Sequence, residues 1–139
     1  MPVYSDSFPV ASGDYASAGE VSAKIKGILK MIGLDPALIR RVTIAAYEAE
    51  LNMIIHSNGG HMTLEISPEE ISVACDDTGP GIKDIELAMQ EGYSTASSSI
   101  RMMGFGAGMG LPNMKKNSDA FDIKSGKDGT SIRLDFKIY

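Results

Sequence analysis

Apolar residues recur at helical spacing in two stretches near the start of the chain, and further on they alternate with polar ones. Val21, Ile25, Ile28, Leu29 and Ile32 share one helical face. Ser17-Ala18-Gly19-Glu20 ahead of them has the form of a capping box, and Gly33 behind them suits a C-terminal cap. The spacing therefore predicts a first helix between these signals. Asp35 followed by Pro36 reads as an N-cap with proline at the first helical position, and no further Gly or Pro interrupts the chain until about Ser57. This is the second predicted helix. Ser5 to Gly19 and the Gly/Ser-rich run from Gly92 to Gly110 read as loops.

Beyond the second helix the period changes to two. Asn58-Gly59-Gly60 is turn chemistry, after which Met62, Leu64 and Ile66 alternate with Thr63, Glu65 and Ser67. Pro68-Glu69-Glu70 turns the chain into a second strand, in which Ile71, Val73 and Cys75 share a face. The same parity puts Asp77 on that core-facing side, an unusual place for an acid. Near the C-terminus Phe121 and Ile123 alternate with polar residues, Lys127-Asp128-Gly129 is a turn, and Ile132, Leu134, Phe136 and Ile138 form the longest alternating run, with Thr130 also facing inward. Strands joined by short turns imply a mixed, mostly antiparallel sheet with one face in water and helices covering the other. The expected fold class is an α+β two-layer sandwich, not a doubly wound parallel sheet.

Composition narrows the picture. A chain of 139 residues, 43% apolar and 22% charged, can bury a core as one domain spanning 1–139. The net charge of −5 argues against a nucleic-acid surface and points to a protein as the macromolecular partner. The N-terminus has no basic segment followed by an apolar core, and no stretch approaches the ~18 apolar residues of a membrane span. The sequence therefore reads as cytoplasmic, with no membrane partner. The single cysteine, Cys75, cannot close an internal disulfide and sits where a small buried hydrophobe would serve. His56 and His61, without a cysteine or acidic cluster, lack the ligand number of a metal site.

Three motifs carry candidate chemistry. Glu48 and Asn52, four apart, lie side by side on the second helix, with His56 one turn further; a carboxylate beside an amide oxygen can orient a hydroxyl and hold a hard cation. Asp77-Thr78-Gly79-Pro80-Gly81 follows a strand directly, its glycines permitting a tight turn and close approach to a flat ligand while the aspartate accepts a hydrogen bond from an exocyclic amine. Gly104, Gly106, Gly108 and Gly110 alternate just ahead of Leu111 and of a predicted helix with Pro112 in its first turn, an arrangement that frees backbone amides for a polyphosphate. There is no Gly-Lys-Ser/Thr, which excludes a P-loop, and the dinucleotide fingerprint fails in every register of the glycine run.

In this order, ending with Gly129-Thr130 at the last strand, the motifs resemble the GHKL (Bergerat-fold) ATPase superfamily. The segment from Tyr47 to His56, the turn Asp77 to Gly81, and Gly92-Tyr93-Ser94-Thr95 look like the bacterial anti-sigma-factor and stressosome-switch serine/threonine kinases. The resemblance runs from about Ser17 to Ile138. It implies ATP or ADP and Mg2+ as cofactors, with Glu48 as general base, Asn52 as the magnesium ligand and Asp77 as the adenine-amine acceptor. It further implies that Gly79 and Gly81 shape the adenine pocket, that Gly104, Gly106, Gly108 and Gly110 with Leu111 line the phosphates, that Thr130 supports Asp77 through its hydroxyl or a shared water, and that Arg101 reaches the γ-phosphate.

The segment from Gly92 to Ala107 has the composition of a lid that orders over nucleotide, under which Met102, Met103 and Met109 can pack. The expected partner is a STAS-domain antagonist protein as phosphoacceptor, with a sigma factor or a phosphatase as further candidates; monomer and homodimer both stay open. A non-catalytic, nucleotide-gated binding module is the rival reading. A conformational ATPase needs transducer domains for which 139 residues leave no room. Phosphorylation on histidine is not expected, since neither histidine is followed by an acidic residue and no paired long helices precede the domain.

Overall fold

The computed structural model describes residues 4–79, 89 and 110–138. Its strands are β1 (Tyr4–Val10), β2 (Gly60–Ile66), β3 (Glu70–Asp77), β4 (Ala120–Gly126) and β5 (Gly129–Lys137). The helices among the described residues are α1 (Glu20–Ile32), α2 (Pro36–His56) and α3 (Gly110–Asn117), with a 3-10 turn at Tyr15–Ser17. The strands form one sheet in the order β1-β2-β3-β5-β4, and every pairing among the described residues is antiparallel. The three described helices lie on one face, with α2 packed against α1, α3 and the sheet. This is the expected two-layer α+β sandwich.

Period two decides which side of each strand is dry. Met62, Leu64, Ile66, Ile71, Val73, Cys75, Ile132, Leu134 and Phe136 are all buried on the helix-facing side, against Ile25, Leu29, Val42, Ala46 and Met53 from the helices. Each fully buried aliphatic or aromatic side chain there contributes roughly 1.5–3 kcal/mol. The β4–β5 connection is a two-residue hairpin, with Gly126 opposite Gly129.

Two expectations need correction. The segment from Ser5 onward is not all loop: Tyr4–Val10 is a strand at the sheet edge, paired with β2. Only Phe8 and Val10 of it are buried, so its alternation is too short and too polar to read. The capping box at Ser17 does not form either. The N-cap of α1 is Gly19, at φ +96°, and no side chain of its own segment caps it. Three backbone N–H groups at this helix start, those of Gly19, Val21 and Ser22, instead donate to the carboxylate of Glu50 on α2, at 3.1, 3.3 and 3.1 Å. A carboxylate at a helix N-terminus satisfies orphan donors and complements the helix dipole together. The C-terminal end follows the sequence reading, because Gly33 is left-handed and its N–H reaches back to Leu29 and Lys30.

Candidate functional site

Arg41, Ala45, Glu48 and Asn52 succeed one another along one face of α2, and α3 packs across that face. The two helices run antiparallel. Asn113 near the start of α3 donates from Nδ2 to Glu48 Oε2 at 2.9 Å, while Arg41 donates from Nε to the carbonyl of Asn117 at 3.0 Å and pairs with Asp119 at 3.0 Å. Leu111 and Met114, on the inner side of α3, are buried and seat it on the core. Glu48 is therefore half-buried and held, whereas Asn52, one turn nearer the C-terminus of α2, makes no side-chain hydrogen bond among the described residues.

The end of α2 is tied to the end of β3. Asn58 N–H donates to the carbonyl of Thr78 at 2.7 Å, and Thr78 N–H donates to that of Gly59 at 3.1 Å. Gly79 takes φ +149°, and a Cβ there would lie 3.3 Å from both the Asn58 nitrogen and the Ser57 Cα, so this crossing of two backbones requires glycine. On its other side β3 pairs directly with β5, which sets Asp77 beside Thr130. Its Oδ1 accepts the Thr130 backbone N–H at 3.0 Å, and no other described donor reaches its carboxylate. Burial pushes the Asp77 carboxyl above its ordinary value; the Thr130 hydrogen bond opposes this, and the neighbouring Asp76 charge adds to it.

Thr130 is buried, as its parity predicts, but its hydroxyl does not reach Asp77. It pairs with Ser125 Oγ at 2.8 Å, and support for Asp77 comes from the backbone of Thr130. An open hollow of about 350 Å³ at this end of the sheet is lined by Asp77, Ser125, Gly129 and Thr130, among others. His56, at the end of α2, is held below its ordinary value by burial, and His61 is exposed. Cys75 is buried and free, its thiol pushed up by burial, consistent with a packing role.

The structure thus sets Glu48 and Asn52 on one face of α2, with Glu48 bonded to the α3 helix that Gly110 and Leu111 open, and brings Asp77, Gly79 and Thr130 to the end of β3. Gly81, Arg101, Gly104, Gly106, Gly108 and the expected lid lie outside the described residues. Asn113, Ser125 and Glu50 were not singled out from the sequence. Glu50 did carry a signal, for it falls on the apolar stripe of α2 between Ala46 and Met53. The helical spacing of Asn113 and Asn117 was the trace of the α3 face.

A helix-covered antiparallel sheet with an acid at the end of its central strand and a Glu/Asn pair on its longest helix defines a class, and sequence comparison agrees. The profile of the histidine kinase-like ATPase domain matches residues 11–136, and the chain belongs to that family, within its branch of anti-sigma factors and serine kinases of partner-switching systems. It is 28% identical to the serine/threonine-protein kinase RsbT of Bacillus subtilis over 113 residues, 78% of this chain and 79% of that one. It is 36% identical to the anti-sigma F factor of Thermoanaerobacter sp. (strain X514) over 110 residues, 73% of each chain. Among solved structures, the RsbU and RsbW domains of Rv1364c from Mycobacterium tuberculosis superpose with a TM-score of 0.67 at 17% identity, covering 99% of this chain and 33% of that longer one. The SiaB–SiaC complex from Pseudomonas aeruginosa gives a TM-score of 0.58 at 13% identity, covering 97% and 89%. These two likenesses concern the fold.

Proposed function

We propose that this chain is an ATP- and Mg2+-dependent serine/threonine protein kinase that phosphorylates a STAS-type antagonist protein in a bacterial partner switch. The observation that carries the reading is Glu48, a half-buried carboxylate held in place on the α2 face where α3 begins. A protein that only bound nucleotide would have no use for an oriented base there.

The residues present fit the nucleotide. Asp77 has one carboxylate oxygen engaged by Thr130 and the other without a described donor, which suits an exocyclic amine, and Asn52 offers an uncommitted amide oxygen to a hard cation. Bound ATP with its magnesium ion would supply the phosphoryl group and neutralise charge as it transfers. Glu48 would accept the proton of the attacking hydroxyl, Asn52 would hold the cation, and Asp77 would select adenine. Gly110 and the glycines before it would turn backbone amides to the phosphates. Among the described residues no helix is long and apolar enough to cross a membrane; we infer a cytoplasmic protein.

Calorimetric titration with ATP and magnesium should show binding in the wild type and loss of it in Asp77→Asn. Labelled phosphate should pass to a STAS-type protein of the same genome, and Glu48→Ala should slow the transfer at least ~100-fold while nucleotide stays bound. The anti-sigma F factors among the relatives support a second reading, in which nucleotide occupancy sets the grip on a sigma factor. Binding of ATP with no transfer to any such acceptor would favour it.

A further inference from the structure

Resting on the kinase reading, we infer that Asn113 is the positioning residue for the general base: its side-chain amide holds Glu48 so that one carboxylate oxygen is fixed and the other faces the acceptor hydroxyl. A free glutamate side chain samples many rotamers, and a base is effective only within hydrogen-bond reach of the proton it takes. The 2.9 Å bond from Asn113 Nδ2 to Oε2 removes that freedom and leaves Oε1 unclaimed among the described residues. Facing a carboxylate, the amide has to present its NH2 group, so the donor assignment follows from chemistry.

Asn113 is itself well anchored. Its backbone carbonyl accepts Asn117 Nδ2 at 2.8 Å, Leu111 and Met114 on either side of it are 5% and 0% exposed, and Arg41 ties the far end of α3 to α2. The residue type also matters. A neutral amide steadies an anion without neutralising it, whereas a lysine or arginine there would compete for the carboxylate and an aspartate would repel it. Asn113 lies three residues beyond Gly110, the last of the alternating glycines, so the seating of α3 and the orientation of the base are mechanically one event.

The test is single-turnover phosphoryl transfer from ATP to the STAS-type acceptor, with ATP affinity and thermal midpoint measured alongside, for wild type, Asn113→Ala, Asn113→Gln and Asn113→Asp. Asn113→Ala should fold and bind ATP like the wild type yet transfer at least ~10-fold more slowly. Asn113→Gln, which keeps a donor, should recover part of the rate, and the isosteric Asn113→Asp should not. In a Glu48→Gln background, Asn113→Ala should cause no further loss, because two residues acting through one group are not additive. A wild-type rate in Asn113→Ala, or an equal fractional loss with and without Glu48, overturns the assignment. A loss of ATP affinity that matches the loss of rate also overturns it, since that is what a merely structural role for α3 produces. Absence of transfer in the wild type overturns the kinase reading and this inference with it, whereas a wild-type rate in Asn113→Ala overturns this inference alone.

Discussion

Asp77 and Glu50 are both carboxylates on faces that periodicity assigns to the core, and they are there for different reasons. Glu50, 2% exposed, answers three backbone donors at the start of α1. Removing it leaves those donors buried and unmet, so Glu50→Ala should lower the unfolding free energy by about 3 kcal/mol, read from chemical denaturation; a change below ~1 kcal/mol would mean that water replaces the carboxylate easily. Asp77 is half-buried with one strong hydrogen bond, and burial raises its pKa. A carboxyl raised in the folded state binds more protons there than in the unfolded chain. Its charged form therefore costs stability above the ordinary aspartate value of 3.8, and protonation relieves that cost. Asp77→Asn keeps an acceptor for the Thr130 N–H and removes the charge. The nucleotide-free variant should melt no lower than the wild type, while ATP no longer binds; a lower melting point would show that the charge is structural.

At the scale of elements, α3 is the informative case. Eight residues are too few to hold a helix in water alone, so α3 depends on Leu111 and Met114 in the core and on the polar contacts of Arg41. Arg41 and Asp119 keep side-chain exposures of 35% and 25%, so the ion pair is screened; with the bond to the Asn117 carbonyl, Arg41→Ala should cost only about 1 kcal/mol. Its local effect should be larger, and hydrogen exchange in α3 should quicken before that of α2 does. Uniform exchange across both helices would argue that they open as one unit. The missed strand β1 shows the converse. It is an edge strand with Pro9 in it and two buried side chains, and its place comes from pairing with β2, a partner 50 to 62 residues away in sequence that no local pattern reveals.

For the molecule as a whole, pH should act through groups whose environments differ from water. Burial lowers the His56 pKa, so the unfolded chain takes up a proton where the folded one resists it. Stability is then full above the ordinary histidine value of 6.5 and declines as pH falls through and below it. Thermal melts from neutral to mildly acid pH should show the decline, and His56→Gln should flatten it. Asp119 works at lower pH. The Lys137 N–H, and then Arg41, hold its carboxyl below 3.8, so its contribution is present above that value and lost as pH falls through the depressed one. The net charge also conceals a partition. On the described helices Lys24, Lys26, Lys30, Arg40, Lys115 and Lys116 are exposed and Glu20 is the only exposed acid, whereas the strands are nearly balanced, Asp6, Glu70, Asp76 and Asp122 being exposed beside Lys124, Arg133 and Lys137.

The amino-acid sequence by itself determined the described helices and four of the five described strands, because side-chain periodicity is a local property that the backbone geometry reads directly. It also determined the family, since Glu48-x-x-x-Asn52, Asp77-x-Gly79-x-Gly81 and the alternating glycines are local patterns in a set order. What required tertiary structure were the partners across the fold: Glu50 for the start of α1, Asn113 for Glu48, the backbone of Thr130 for Asp77, and β2 for β1. Each of these joins residues far apart in the chain through hydrogen-bond directions. Such directions exist only once the layers have packed, so the sequence could name the candidate groups but not what holds them.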